Sequence, residues 1–249
     1  MKKILTFLLV LSLCSTSFAQ FRERTSQWAD NTDFELGATP FSFRALGYLS
    51  FGFSSVLSGD EAVKNHTSFF KNPQFGFNIL SFIYKPSRYF RASLGADIVW
   101  TWYQLDKDVL WVPVGSAADH VSILPTEIAL MQSVKKSVFT VSTFEFPLDI
   151  NMRAAGMGLQ LGAALEVNLA GRTQFRGTDL AGNDVNCMGG GALYSKQIKT
   201  NTLGYNLHAA ILLNHGGVFV KFRPRPVIQD GYGPQFSTWT LGLVWGLGM

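Results

Sequence analysis

The segment Phe236-Ser237-Thr238-Trp239-Thr240-Leu241-Gly242-Leu243-Val244-Trp245-Gly246-Leu247-Gly248-Met249 decides the fold of this chain. From Trp239 onward every second residue is large and apolar, and the residues between them are small or polar except Val244. Because successive side chains of a strand point to opposite faces, the pattern predicts a strand with one face suited to hydrocarbon. Tryptophans on that face are typical of a membrane–water interface.

The N-terminus has the pattern of an export signal. Lys2 and Lys3 precede a short apolar run, Ile4 to Leu13, and Ser17-Phe18-Ala19 has small residues at the two positions that a signal peptidase reads. The apolar run is shorter than the roughly 20 residues of a spanning helix. We therefore predict a signal peptide over residues 1–19, cleaved after Ala19.

The composition favours an exported protein that hides apolar surface without a spanning helix. Charged residues make up 15% of the chain and aromatic residues 14%, whereas about 25% of residues are charged in a soluble domain. Apart from Lys2 and Lys3, the chain has 19 basic and 17 acidic residues, and this near balance gives no reason to expect a nucleic-acid partner. After the signal peptide no 18 consecutive residues are apolar. A closed β-barrel is then the remaining way to cross a bilayer, because its backbone groups all pair between strands.

Eight segments alternate between apolar and polar residues. The predicted strands are Phe43–Phe53, Phe75–Lys85, Arg91–Tyr103, Ser137–Arg153, Met157–Leu169, Leu203–Asn214, Val218–Arg223 and Phe236–Met249. The second strand alternates less cleanly, because Leu80 and Phe82 fall on its polar face. Pro147 in the fourth strand requires a bulge or a local gap in pairing, since proline cannot donate a ladder hydrogen bond.

The connections between these strands alternate between long and short. Short turns at residues 86–88, 154–156 and 215–217 separate four long connections, which run from about a dozen to about thirty residues. Transmembrane barrels have an even number of strands, short periplasmic turns and longer extracellular loops. The chain is therefore predicted to be an all-β protein, with an eight-stranded antiparallel up-and-down transmembrane β-barrel over residues 43–249. Residues 20–42 are interpreted as a periplasmic lead-in, in which Phe34 to Gly37 adds a short strand.

The signal peptide, the Ala19-Gln20 junction, the eight strands and the Trp245-Gly246-Leu247-Gly248-Met249 ending resemble small outer-membrane β-barrel proteins of the PorT-like and OmpA-barrel kind. The resemblance covers nearly the whole mature chain and is one of pattern, not of a diagnostic motif. Such barrels usually end in an aromatic residue, whereas the last residue here is Met249. The resemblance implies a place in the outer membrane of a Gram-negative cell envelope and, as for PorT-like proteins, an association with protein secretion.

The polar faces of the predicted strands point into the lumen. They carry Arg44, Tyr48, Arg91, Asp97, Glu145, Asp149, Asn151, Arg153, Gln160, Glu166, Asn168, His208, Lys221 and Arg223. An eight-stranded barrel is only wide enough for side chains to fill, and buried charges must pair. We therefore predict a closed, salt-bridged interior, and a narrow or gated ion path is the alternative.

No residue pattern indicates a catalytic, cofactor-binding or metal-binding site. Glu145 and Asp149 would lie about 13 Å apart along a strand, which is too far for shared acid–base catalysis. The four histidines share no short ligand spacing. His120, near Asp119 and Glu127, is the only loop histidine close to acidic residues. Because of this histidine, a lipid- or peptide-processing enzyme with its site at the barrel rim stays an alternative.

We therefore expect a monomeric outer-membrane barrel without catalytic activity or cofactor, in a structural, partner-binding or secretion-associated role. The expected partners are outer-membrane lipid and a protein of the envelope or the secretion machinery, and not nucleic acid. The alternatives are a small gated channel, the rim enzyme, and a soluble ligand-binding barrel whose apolar faces turn inward.

Cys187 offers a test of the predicted orientation. It is the only cysteine after the signal peptide, and it lies in the third long connection, which is predicted to be extracellular. A membrane-impermeant maleimide applied to intact cells should therefore label it. Labelling that occurs only after lysis would contradict this orientation.

Overall fold

The computed structural model describes residues 41–87, 89–114, 119–126, 129, 131–154, 157–189, 198–213 and 216–246. The strands are β1 (Phe41–Ala45), β2 (Tyr48–Gly59), β3 (Pro73–Tyr84), β4 (Phe90–Gln104), β5 (Val109–Val114), β6 (His120–Pro125), β7 (Met131–Ala154), β8 (Met157–Asp179), β9 (Asp184–Gly189), β10 (Leu203–Leu213), β11 (Gly216–Arg223) and β12 (Phe236–Gly246). A short helix, α1 (Glu61–His66), and a 3-10 turn (Phe69–Lys71) lie between β2 and β3. The predicted signal peptide and the lead-in up to residue 40 lie outside the described residues. In the part of the chain that is described, no helix has the length and apolar character needed to cross a bilayer.

Eight strands form a closed ring in the order β2, β3, β4, β7, β8, β10, β11 and β12. Each pairs antiparallel with the next, and β12 pairs with β2 to close the ring. The predicted eight-stranded antiparallel up-and-down barrel is therefore confirmed. β1 extends the first barrel strand, and β5 and β6 form a separate hairpin.

The apolar faces of the strands point outward, as the alternation predicts. On β12, Leu241, Leu243 and Trp245 are exposed, whereas Thr238 and Thr240, on the opposite face, are buried. The alternative of a soluble barrel with its apolar faces turned inward is therefore wrong. Residues 247–249, the predicted end of this strand, lie outside the described residues.

Irregularities in two neighbouring strands explain why the second predicted strand alternates imperfectly. The predicted first strand is interrupted between β1 and β2, where Leu46 has a φ of 54°. Opposite this break, the β3–β4 register shifts between Asn78 and Leu80, so Ile79 is an extra residue. The amide of Leu46 donates to the carbonyl of Ile79 at 2.9 Å. Because a bulge reverses the alternation, Phe82 is 57% exposed instead of lying on the polar face.

Pro147 lies in the predicted gap in pairing. The β4–β7 register stops at Leu94–Leu148 and resumes at Asp97–Glu145, so the two residues between them on each strand are unpaired. A Cβ atom at Gly95 would lie 3.0 Å from Cγ of Pro147. The glycine therefore leaves room for the ring where the ladder is interrupted.

The long connections contain more regular structure than the sequence predicts. The first extends β2 and folds α1, the second contains the β5–β6 hairpin, and the third extends β8 and adds β9, which includes Cys187. β7 and β8 reach 24 and 23 residues, beyond the predicted Ser137–Arg153 and Met157–Leu169. The extensions were missed because one of their faces packs against the β5–β6 hairpin, with Val134 and Phe139 buried, and does not follow the apolar–polar alternation of a lipid-facing strand.

Candidate functional site in the barrel interior and the cap

The barrel interior holds the charged residues that the sequence analysis places in the lumen. Five of them each expose no more than 5% of their surface: Asp97, Glu145, Asp149, Glu166 and Arg223. A buried charge is costly unless it is paired and hydrogen-bonded. The contacts of these side chains therefore decide what the interior can do.

A first polar network surrounds Asp97 and joins the first three barrel strands. The hydroxyl of Tyr48 donates to one carboxylate oxygen of Asp97, and Nδ2 of Asn78 donates to the other at 2.6 Å. The amide of Gly47 and Oγ of Ser81 donate to Oδ1 of Asn78 at 3.0 and 3.1 Å. The Asp97 carboxylate is thus held by neutral hydrogen-bond donors.

A second network crosses the other side of the interior as a chain of five side chains. Oδ1 of Asp149 lies 2.6 Å from Nε2 of His208, whose Nδ1 lies 3.0 Å from Oδ1 of Asn206. Nδ2 of Asn206 donates to Oε1 of Glu166 at 2.7 Å. Nε of Arg223 lies 2.7 Å from Oε2 of Glu166 and forms an ion pair with it. This chain connects β7, β8, β10 and β11.

Lys221 and Glu145 form a further ion pair inside the barrel. Nζ of Lys221 donates to both carboxylate oxygens of Glu145, at 2.9 and 2.8 Å. Together with Glu166–Arg223 and Asp149–His208, this pair confirms the prediction of a salt-bridged interior. Removing one member would leave its partner as an uncompensated buried charge, so the pairs favour a single arrangement of the strands.

Glycines on the inward faces make room for these charges. A Cβ atom at Gly162 would lie 2.1 Å from Oδ1 of Asp149 and 2.5 Å from Nε2 of His208. At Gly204 it would lie 2.9 Å from Oε2 of Glu166. The sequence shows these glycines, but their role becomes visible only when the facing strand is known.

An apolar cluster, here called the cap, fills the end of the barrel where the long connections meet. It consists of Val56, Val63, Tyr103, Leu105, Val109, Trp111, Val121, Phe139, Val141, Ile198, Val227, Ile228 and Phe236. Trp111 of the β5–β6 hairpin is fully buried in it. Its backbone amide donates to Oγ of Ser137 at 2.8 Å, and its indole Nε1 donates to the carbonyl of Tyr103 at 2.9 Å. These two hydrogen bonds fasten the hairpin to β4 and β7.

Polar contacts join the long connections on the surface of the cap. The His120 ring packs on Tyr232 with 4.4 Å between centroids, and Nδ1 of His120 lies 2.7 Å from Oδ1 of Asp119. Nζ of Lys199 donates to the Tyr232 hydroxyl at 3.0 Å. The hydrogen bond with His120 lowers the pKa of Asp119, and the contact with Tyr232 raises the pKa of Lys199. The backbone amide of Val121 donates to the carbonyl of Tyr232 at 2.8 Å, so three connections form one surface.

His208 and His120 are each engaged with a neighbouring carboxylate. Both ring nitrogens of His208 are engaged, one with Asp149 and one with Asn206. Nδ1 of His120 is engaged with Asp119, and Glu127 lies outside the described residues. Within the described ranges, no three His, Cys, Asp or Glu side chains come together as a metal site.

Comparisons with known proteins add little to these observations. No protein-family model and no curated protein matches the chain. Among solved structures, Ail, the attachment invasion locus protein of Yersinia pestis in complex with the heparin analogue sucrose octasulfate, is 12% identical with a TM-score of 0.33, covering 83% of this chain and 97% of that one. LpxR from Salmonella typhimurium is 10% identical with a TM-score of 0.24, covering 82% and 86%. Similarity this low carries no argument about function.

The Asp149–His208 contact predicts an unequal response to alanine at two glycines of β8. Gly162→Ala places a methyl group against both side chains and should destabilise the protein by about 1–3 kcal/mol through overpacking. Gly158→Ala is the matched control, because its Cβ atom would meet nothing nearer than Cβ of Leu212 at 3.3 Å. Urea unfolding of both variants in the same detergent, followed by tryptophan fluorescence, measures the difference. Equal midpoints would contradict the proposed role of Gly162.

Proposed function

We propose that the protein is an integral outer-membrane β-barrel without catalytic activity, which presents its cap and a protruding ribbon to a protein of the envelope or the secretion machinery. The single observation that carries the membrane location is the apolar band on the outside of a barrel with a charged interior. The two ends of the band and the strands beyond it support the rest of the proposal.

The apolar band is as tall as a bilayer core. On β8 the outward residues from Met157 to Leu169 are apolar, and most of them are exposed. The twelve residue steps between these two residues correspond to about 40 Å along the strand, or about 30 Å of height at the usual tilt of about 40°. A hydrocarbon core is about 30 Å thick. Lipid contact explains a continuous apolar surface that would be an aggregation hazard in water.

Aromatic residues lie at both ends of this band. Near the short turns, Phe41 stacks on Tyr84 and Phe43 packs edge-on against Phe82. At the other end Phe69 stacks on Trp239 at 5.2 Å between centroids. Barrels in the outer membrane carry aromatic girdles at both interfaces, where the rings contact headgroups. The two groups therefore support the same membrane position as the band.

The strands β7 and β8 continue beyond the band as a ribbon, defined here as residues 131–143 and 170–179 together with β9. Arg172 and Arg176 are the first charged residues after Leu169 on β8, and both are exposed. Lys136 faces Arg176 across the ribbon. A membrane strand needs only about 9–11 residues, so the added ten or more residues on each strand serve no purpose in spanning. They supply a paired, projecting surface for a protein partner.

Arginine substitutions at two exposed leucines test the membrane location. Leu161 is 46% exposed within the band, and Leu180 is 67% exposed beyond the end of β8. Leu161→Arg should cost about 2–4 kcal/mol in lipid, because it places a charge near the bilayer midplane. Leu180→Arg should be nearly silent, since it stays in water. Urea unfolding in phosphatidylcholine vesicles measures both.

If the barrel stood in water instead of lipid, the two variants should have the same stability, because both leucines would then face solvent on the outside of the barrel. Wild-type protein that refolds equally well in plain buffer, or equal stabilities of the two variants in vesicles, would sink the membrane location.

Site-specific crosslinking tests the partner-binding part of the proposal. A photoreactive residue in place of Arg176, on the ribbon, should give a discrete protein adduct when intact cells are illuminated. The same residue in place of Leu161, within the band, should give no such adduct, because lipid surrounds that position. Adducts of equal yield at both positions, or at neither, would contradict a partner on the ribbon.

A further inference from the structure

Four basic residues converge at the end of the lumen opposite the cap, here called the basic mouth. They are Arg44 on β1, Lys85 directly after β3, Arg91 on β4 and Arg153 on β7. Electrostatic interactions connect Lys85 with Arg91, Arg44 and Arg153, and connect Arg91 with Arg153 and Arg44. Lys85, Arg91 and Arg153 lie beside the short turns, and Arg44, which faces Ser81 of β3, lies further along the barrel within range of their charges.

The strand register explains why Lys85, Arg91 and Arg153 meet. Arg91 faces Asn151 directly in the β4–β7 ladder, and Arg153 follows on the same face of β7, about 7 Å further along the strand. Tyr84 faces Ala92, so Lys85 lies beside Arg91. Gly158 faces Arg153 and has no side chain to fill the space beside it.

Among the described residues, the four cations of the basic mouth have no paired acid. Asp149 is the acid nearest to Arg91, but it is engaged with His208 at 2.6 Å. Partial desolvation, followed by repulsion from the three arginines, lowers the pKa of Lys85.

Buried polar atoms in the basic mouth also lack hydrogen-bond partners within the described residues. Nε of Arg91 is buried without an acceptor, and Oδ1 of the facing Asn151 is buried without a donor. Elsewhere in the interior each acid is held by a donor or a cation, as for Glu145 and Lys221. Buried atoms without partners also occur at Gln74, Glu166 and Arg223, so the basic mouth differs from the rest of the described lumen in its excess of cations over acids.

We propose that the basic mouth is a binding site for a phosphate group. A guanidinium group matches a phosphate with two parallel N–H donors, and a phosphate monoester brings a charge of about −1.5 to −2 near neutral pH. A single carboxylate would leave more of the four positive charges uncompensated. Inorganic phosphate or the headgroup of a phospholipid could supply this chemistry. The lipid source rests on the proposed membrane location, and the binding of free phosphate does not.

Titration of the mature protein with inorganic phosphate tests the site. The protein is folded in a neutral detergent, kept in phosphate-free buffer of low ionic strength, and titrated by calorimetry. Lys85→Gln, Arg91→Gln and Arg153→Gln should each weaken phosphate binding by about tenfold, the loss of one charge-assisted hydrogen bond. Arg172→Gln, a basic residue on the ribbon, is the matched control and should bind as the wild type does.

Folding of each variant is checked by comparing the gel mobility of unheated and boiled samples. Lys85 and Arg153 are exposed, so their variants carry the test if Arg91→Gln does not fold. Wild-type protein that binds no phosphate, or an equal loss in Arg172→Gln, would overturn the site.

Two nanodisc preparations distinguish the sources of the phosphate. If a lipid headgroup occupies the basic mouth, free phosphate should bind more weakly in discs that contain phosphatidic acid than in discs of phosphatidylcholine alone. Equal affinities in the two discs identify free phosphate as the ligand. Protein that binds phosphate in detergent but does not insert into either disc would sink the membrane location and leave the site intact. A glutamate-rich peptide that binds through the same residues while phosphate does not would replace the phosphate site with a protein-binding site.

Discussion

The pairing of β12 with β2 is the contact on which the rest of the structure depends. Without it both strands would be open edges with unpaired N–H and C=O groups, which hydrocarbon does not tolerate and which invite aggregation in water. The contact joins Phe236–Gly246 to the first long strand along its length, with one irregularity between Ser237 and Thr238. Closure turns eight amphipathic strands into a surface that is apolar outside and polar inside.

Closure with eight strands leaves little room inside, and this determines what the interior contains. Inward positions alternate between charged residues and glycines, such as Asp149 and the Gly162 that faces it. Each ion pair ties strands that are distant in the chain, as Glu145 and Lys221 tie β7 to β11. A filled and paired lumen supports a role that depends on the two ends of the barrel and on its outer surface.

The two ends of the barrel differ in chemistry. The cap closes one end with buried aromatic residues, among them Trp111 and Phe236, and the ribbon projects beside it. The opposite end carries the four cations of the basic mouth. In the proposed orientation the cap and ribbon face the exterior and the basic mouth faces the periplasm. Under the two proposals, one barrel binds a protein on one side and an anion on the other.

The sequence by itself determined where the eight barrel strands lie and which face most of their residues occupy, because alternation is a local property of an extended chain. It located the strand ending in Trp245 and the gap at Pro147. Only the tertiary structure decided the extra residue Ile79, the length of β7 and β8, the cap, and the partners of Asp149 and Arg223. These features depend on strand register and on contacts between distant segments, which local patterns do not contain. The cluster of Arg44, Lys85, Arg91 and Arg153 also depends on strand register and distant contacts. Its charges come from four separate strands, which must meet before the charges can act together.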